Sequence, residues 1–161
     1  MGLSNLSFNP TVTWSLAKTN GAFGNTTQMG SKGFNFNGIS LITYNQLYAA
    51  TLSLGATGSQ TVDLTSLTNL VGESVDFISA LALIVIPSGS ECTIQPGASN
   101  PLQWFFGGTT QSVVVPDGGF FAFSMKPTGT GEAVDSTHKN LKFTNSGATP
   151  LSLDVVIVGG T

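Results

Sequence analysis

Past residue 45 the apolar residues fall into short alternations and short unbroken runs, separated by clusters of Gly, Pro, Ser and Asn. From Gln46 to Leu54, Leu47, Ala49, Thr51 and Ser53 share one face, and Tyr48, Ala50, Leu52 and Leu54 share the other. That is the two-residue period of a strand. The glycine-rich GATGS at 55–59 turns the chain into a second strand, Gln60 to Leu64. Leu64 to Leu70 is expected to make a short helical turn, capped by Asp63 and closed by Gly72. Val75 to Ile86 (VDFISALALIVI) is apolar on both faces, as a central strand should be, and PSGS at 87–90 ends it. Glu91 to Gln95 is short and alternating. Gln103 to Phe106 and Gln111 to Val115 read as strands on either side of a Gly107-Gly108 turn.

Pro116-Asp117-Gly118-Gly119 is the clearest turn signal in the chain. Proline presets φ and glycine allows positive φ. It predicts a hairpin joining QSVVV to FFAFSM. Leu141 to Thr144, the turn NSGATP at 145–150, and Leu151 to Val158 predict a second hairpin. In its last strand Leu153, Val155 and Ile157 alternate with Ser152 and Asp154, the pattern of a half-buried strand. Roughly eight or nine short strands with turn signals every 8–12 residues predict an all-β fold. The expected form is a jelly-roll-like two-sheet β-sandwich.

The first 43 residues read differently. Gly21 to Gly38 (GAFGNTTQMGSKGFNFNG) is rich in Gly and Asn, which favour turns and irregular backbone. Only Thr11 to Leu16 looks like a strand. Residues 1–43 are therefore expected to form an extended arm, and residues 44–161 the β-sandwich domain. Fully stretched, such an arm spans on the order of 140 Å. Trp14, Phe34 and Phe36 within it point to a surface that the arm covers, since aromatic rings seek contact.

Composition narrows the function. Only 8% of the 161 residues are charged, against about 25% in an ordinary soluble domain. The polar complement is 20 Thr, 18 Ser and 11 Asn, beside 20 Gly. Five lysines, no arginine and a net charge of −3 give no basic stripe for nucleic acid. Residues 1–62 hold two lysines and no acid, whereas residues 63–161 hold three lysines and all eight acids. The longest apolar stretch, Leu81 to Ile86, is far short of a membrane helix. Met1 to Ser15 lacks a basic segment followed by an apolar run, so no secretory signal is expected and synthesis is assigned to the cytoplasm. One cysteine, Cys92, leaves no internal disulfide or thiolate cluster.

Candidate chemistry is sparse. His138, the one histidine, sits in Asp135-Ser136-Thr137-His138-Lys139. The letters of a Ser/His/Asp triad are there, but triad members normally come from distant parts of a chain. Cys92 is expected to be a small buried hydrophobe. The eight carboxylates are dispersed, and neither a calcium loop nor a phosphate loop motif occurs. No enzyme activity, cofactor or metal is expected. The aromatic groups Trp104-Phe105-Phe106 and Phe120-Phe121 carry more weight. On strands, consecutive rings point to opposite faces, so some of them should meet another chain. Trp104 with Gln103 and Asn100 could instead form a platform for a sugar.

Some of these segments also carry a resemblance. They are Thr61-Val62-Asp63-Leu64 with Leu67 and Gly72, the run through Ile86, and Gln95-Pro96-Gly97-Ala98-Ser99-Asn100-Pro101-Leu102. Val114-Val115-Pro116-Asp117-Gly118-Gly119, Ala133-Val134-Asp135, Leu141-Lys142-Phe143-Thr144-Asn145 and Val155-Val156-Ile157-Val158-Gly159 complete the set. In this order the C-terminal two-thirds resembles small β-sandwich virion proteins of tailed bacteriophages. The resemblance implies a capsid cement or decoration protein on the virion surface, with the major capsid protein as partner and no catalytic residues. Self-assembly as a homotrimer is expected. Trp104, Phe105, Phe120 and Phe121 are expected at subunit or capsid contacts, and Trp14, Phe34 and Phe36 at contacts of the arm. The alternative expectation is a tail or fibre module that binds a host glycan.

Overall fold

The computed structural model describes residues 11–20, 24–33, 46–69, 72–125 and 131–161, the first two spans as backbone. The chain is an all-β sandwich. One sheet has β3 (Gln46–Leu54), β7 (Ser79–Ser88), β10 (Phe121–Ser124) and β13 (Leu151–Gly160), in the order β10-β7-β13-β3. β11 (Glu132–Ala133) pairs with a further part of β7. The other sheet has β4 (Ser59–Asp63), β8 (Cys92–Pro96), β9 (Val113–Val115) and β12 (Asn140–Asn145), in the order β4-β12-β8-β9. Every ladder is antiparallel.

The pairing is nested. β3 pairs with β13, β4 with β12, β7 with β10 and β8 with β9. Among these eight strands, only β8 and β9 are both consecutive and in one sheet. This is the expected jelly roll, formed by a long folded hairpin wrapped around its own core. Alternation supplies that core. Leu83, Val85, Leu153, Val155 and Ile157 from one sheet face Ile94, Leu141 and Phe143 from the other, all fully buried.

Nesting also corrects both expected hairpins. The Pro116 turn forms, with Gly119 N donating to Pro116 O at 2.9 Å and Gly118 at φ +68°. It carries the chain from β9 in one sheet to β10 in the other. The turn after Asn145 likewise crosses from β12 to β13. A turn motif specifies a reversal; which strands then pair depends on burying both apolar faces.

Three further elements differ from expectation. Val75 to Ile86 is not one central strand: Val75 ends β6 (Ser74–Val75), and the chain enters the large sheet only at Ser79, the start of β7. No helical turn forms at 64–69. Asp63 Oδ1 instead accepts from Thr65 N at 2.9 Å and Thr65 Oγ1 at 2.7 Å, a local turn of the kind aspartate favours. β5 (Leu67–Thr68) then pairs with β6 (Ser74–Val75). Gln103 to Phe106 is not a strand either. Trp104–Phe106 is a single 3-10 turn closed by Gly107 at φ +70°.

The segment expected as an arm contains a hairpin. β1 (Thr11–Asn20) and β2 (Gly24–Gly33) pair over their whole length, from Thr11 opposite Gly33 to Asn20 opposite Gly24. They form a separate two-stranded sheet. The Gly- and Asn-rich stretch thus pairs with the segment that alone looked like a strand.

Both ends of the sandwich are tied by amides. At one end the fully buried Asn145 donates from Nδ2 to Gly55 O at 2.9 Å and Thr149 O at 2.8 Å. Its Oδ1 accepts from Gly147 N at 3.0 Å. One side chain thereby joins the β3–β4 turn to the β12–β13 turn. At the other end Asn140 O accepts from Gly97 N and Leu102 N, and Asn140 Nδ2 reaches Ser99 O at 2.8 Å. Replacing Asn145 with Ala takes the partner from one part-buried N–H, that of Gly147, and from two turn carbonyls. The expected destabilisation is about 3 kcal/mol by urea unfolding, against less than about 1 kcal/mol for exposed Ser152→Ala.

Candidate functional site

The two outer faces of the sandwich are chemically unlike. Outward positions of the β4-β12-β8-β9 sheet are Ser59, Thr61, Thr93, Gln95, Lys142 and Thr144, with Val114 at the edge. They are almost all polar. Opposite them, the outward positions of β10, β7, β13 and β3 include Phe120 (just before β10), Ala122, Ile84, Ile86, Val156 and Ala49. The one charged group aligned with them, Asp154, accepts a 2.6 Å hydrogen bond from Thr51 Oγ1.

Register concentrates the apolar character at one corner. Phe121 lies opposite Val85, which places Phe120 beside Ile86. Phe120 is 64% exposed and Ile86 45%. These are two of the four large exposed hydrophobics among the described residues, the others being Ile78 and Val114. Gly118 N donates to Pro87 O at 3.1 Å, and Asp117 Oδ1 accepts from Gly89 N at 2.7 Å. These bonds anchor the turn that presents Phe120. A rigid support and two adjoining exposed side chains suit protein contact better than scattered single residues do.

The other aromatic candidates are turned inward. Trp104 is only 8% exposed, and Phe106 is equally buried. Phe105 is half-buried at the hub of a cluster. Its ring centroid lies 4.2 Å from Phe106, 4.8 Å from Phe123, 5.1 Å from Phe121 and 5.5 Å from Trp104. Trp104 also meets Phe123 edge-on at 5.7 Å. Such tilted pairs are the favoured geometry for aromatic rings. The reason these rings do not straddle a sheet is the 3-10 turn, which gathers them on one side, with Trp104 and Phe105 against the inward rings of β10. Trp104 therefore offers no ring face to a sugar, and Phe105 and Phe121 are packed rather than presented. Of the candidates in the sandwich, Phe120 alone is openly exposed. Trp14 lies in β1 opposite Gly30; Phe34 and Phe36 lie outside the described residues.

Ile86 was not singled out by sequence reasoning. Its signal was present, since Ile84 and Ile86 share a face with Phe120 once the β7–β10 register is known. A continuous apolar run conceals that asymmetry.

The polar candidates form local turns. Asp135 Oδ1 accepts from Thr137 Oγ1 and Thr137 N, both at 2.7 Å, and from His138 N at 2.9 Å. His138 Nδ1 lies 3.2 Å from the same oxygen. The hydroxyl touching His138 belongs to Thr137, at 3.0 Å, and not to Ser136. The Thr137 hydroxyl, its backbone N–H and then His138 hold the Asp135 carboxyl well below its ordinary range. The whole group is a solvent-exposed turn. Cys92 is buried, and burial pushes its thiol up to about 11, which makes it a poor nucleophile. No three His, Cys, Asp or Glu side chains come together among the described residues.

Burial opposes ionisation of Asp63, but bonds from Lys139 and Thr65 outweigh it and hold the carboxyl below its ordinary value. Lys139 Nζ lies 2.7 Å from Asp63 Oδ2. A depressed folded value means the stabilisation is full above the unfolded carboxylate value of about 4 and fades as pH falls through the folded one. With a third of Asp63 exposed, the pair is screened and contributes about 1 kcal/mol at most. Asp63→Asn is expected to be less stable than wild type by that amount at neutral pH. The gap narrows in urea titrations as pH falls below the ordinary carboxylate value of about 4 and toward the lower folded one.

No protein-family model matches this chain, and no curated protein sequence matches it. Among solved structures, one titled "Crystal structure of PirA" aligns at 19% identity, covering 69% of this chain and 93% of that one, with a TM-score of 0.41. So loose a likeness carries no argument about function.

Proposed function

We propose that this protein is a non-enzymatic structural component of a phage particle, a cement or decoration protein that binds the major capsid protein on the head surface. The observation that carries the reading is the apolar corner on the outer face of the β10-β7-β13-β3 sheet, where exposed Phe120 lies beside Ile86. The ordered resemblance between Thr61 and Gly159 supports it. So does a surface polarity built from hydroxyls and amides, because salt weakens ionic contacts far more than apolar and neutral ones. In this proposal Phe120 and Ile86 meet the capsid lattice. Residues 1–43 add contacts through Trp14, Phe34 and Phe36, raising occupancy by avidity.

Heads lacking the protein, incubated with purified protein and sedimented, test the reading. Wild-type protein is expected to bind in a large fixed ratio to the major capsid protein. Phe120→Asp, alone or with Ile86→Asp, lowers affinity at least about tenfold, as loss of a central apolar anchor does. Val114→Asp, an equally exposed apolar site on the opposite face, leaves binding unchanged. Full occupancy by the Phe120→Asp variant overturns the assignment of this face. Removing residues 1–43 is expected to leave the sandwich folded and to abolish head binding. Full occupancy by that truncated protein shows that the arm takes no part.

A further inference from the structure

A jelly roll made of two open sheets has four edges, and three of these are blunted. β9 is three residues long and runs into Pro116, which has no N–H to donate. β10 is four residues long, and beyond it the same side of β7 is taken by β11, which carries Glu132. β4 is five residues long and ends in Asp63, paired with Lys139. Short strands, proline and charge are the usual protections against edge-to-edge association.

β3 has none of them. Its nine residues, QLYAATLSL, contain no charge, proline or glycine. Its ladder with β13 runs from Leu54 opposite Leu151 to Gln46 opposite Gly159, with no register shift. Among the described residues nothing pairs with its other side. On its outward face Ala49, Thr51 and Ser53 are small, so a neighbouring backbone can approach closely. We infer that the free edge of β3 pairs antiparallel with β3 of a second copy of this chain, joining the two sheets into one continuous sheet eight strands across.

A second copy fits this edge for three reasons. The edge is uncharged, so meeting itself brings no like charges opposite each other. A strand and its copy match in length and alternation, so apolar and polar faces stay in register across the junction. Antiparallel self-pairing is also closed by a two-fold axis and leaves no growing end. The contact is roughly 30 Å long. An edge alone gives a small interface, so the dimer should dissociate on dilution. The two-fold operation excludes the trimer expected from the resemblance as the product of this edge. It holds whatever the outer face docks on.

Sedimentation equilibrium of the full chain across low to high micromolar concentration tests this. The mass is expected to rise from 16.6 kDa toward twice that value. The Thr51→Lys/Ser53→Lys variant places like charges at the junction and should stay at monomer mass, with unchanged circular dichroism. Single cysteines at Ala49, Thr51 and Ser53 provide a second measurement in otherwise native chains. Paired over its full length about a two-fold axis, β3 centres on Ala50, so disulfide formation should be faster at Ala49 and Thr51, beside the axis, than at Ser53. Cys92 is buried and stays silent. A monomer at every concentration, including one whose own β1–β2 hairpin covers the edge, overturns the inference. So do a trimer mass, a lysine variant that still dimerises, or cross-linking equal at all three positions.

Discussion

Everything in this fold depends on holding the crossings between two sheets. Because the pairing is nested, every reversal among the eight strands except that between β8 and β9 throws the chain over the open end of the sandwich, where strand ladders give no support. Asn145 meets that need at one end. Its side chain is fully buried and gathers Gly55 O, Thr149 O and Gly147 N from two turns far apart in sequence. A buried amide is expensive unless its polar atoms are satisfied, and here both are. At the far end Asn140, where the chain enters β12 from β11, is tied to the β8–β9 connection by its carbonyl and side-chain Nδ2, and Asn100 O in that connection accepts from Lys139 N and Asn140 N. With the crossings fixed, alternation along each strand determines which side chains enter the core.

Local period and turn chemistry explain what could be read from the sequence. Gln46–Leu54 is a strand over its full expected length, and β4, β8, β12 and β13 lie within a few residues of expectation. What could not be read is long-range. The Pro116 motif predicts a reversal correctly, yet the partner of β10 is β7, paired from Phe121 opposite Val85 to Ser124 opposite Ala82. Asn145 looked like an ordinary turn residue, and only the tertiary fold shows that its amide is buried. Trp104-Phe105-Phe106 has strand-like composition, but the left-handed Gly107 ends a 3-10 turn there. The same gap explains the site. Phe120 stood out by type and Trp104 did too, and nothing local distinguishes the exposed ring from the buried one.

The difference between the two outer faces follows from chemistry more than from fold. Both sheets bury one side in the shared core, so nothing in the sandwich requires either outer side to be apolar. The β4-β12-β8-β9 sheet behaves as expected of a sheet facing water, with hydroxyls, amides and Lys142 outward. The other sheet carries Ile84, Ile86, Val156 and Phe120 outward. Keeping such a surface in solution is tolerable where it is small and rigid, and useful where a partner covers it. A low charge density sharpens the contrast. With so few ions on the surface, recognition rests on shape and apolar area, which salt does not weaken.

The free edge and the apolar corner lie at opposite ends of one sheet, β3 at one side and β10 at the other. Pairing two β3 edges therefore leaves both Phe120 corners exposed, separated by seven strand spacings, or about 34 Å. An assembly of that form presents two weak contacts in a fixed relation. Its second contact forms at high effective concentration when the spacing matches the surface, and is lost entirely when it does not. Specificity can then reside in spacing, with no charged or strongly polar recognition group. That is a coherent use for a chain with no arginine and a single histidine in an exposed turn.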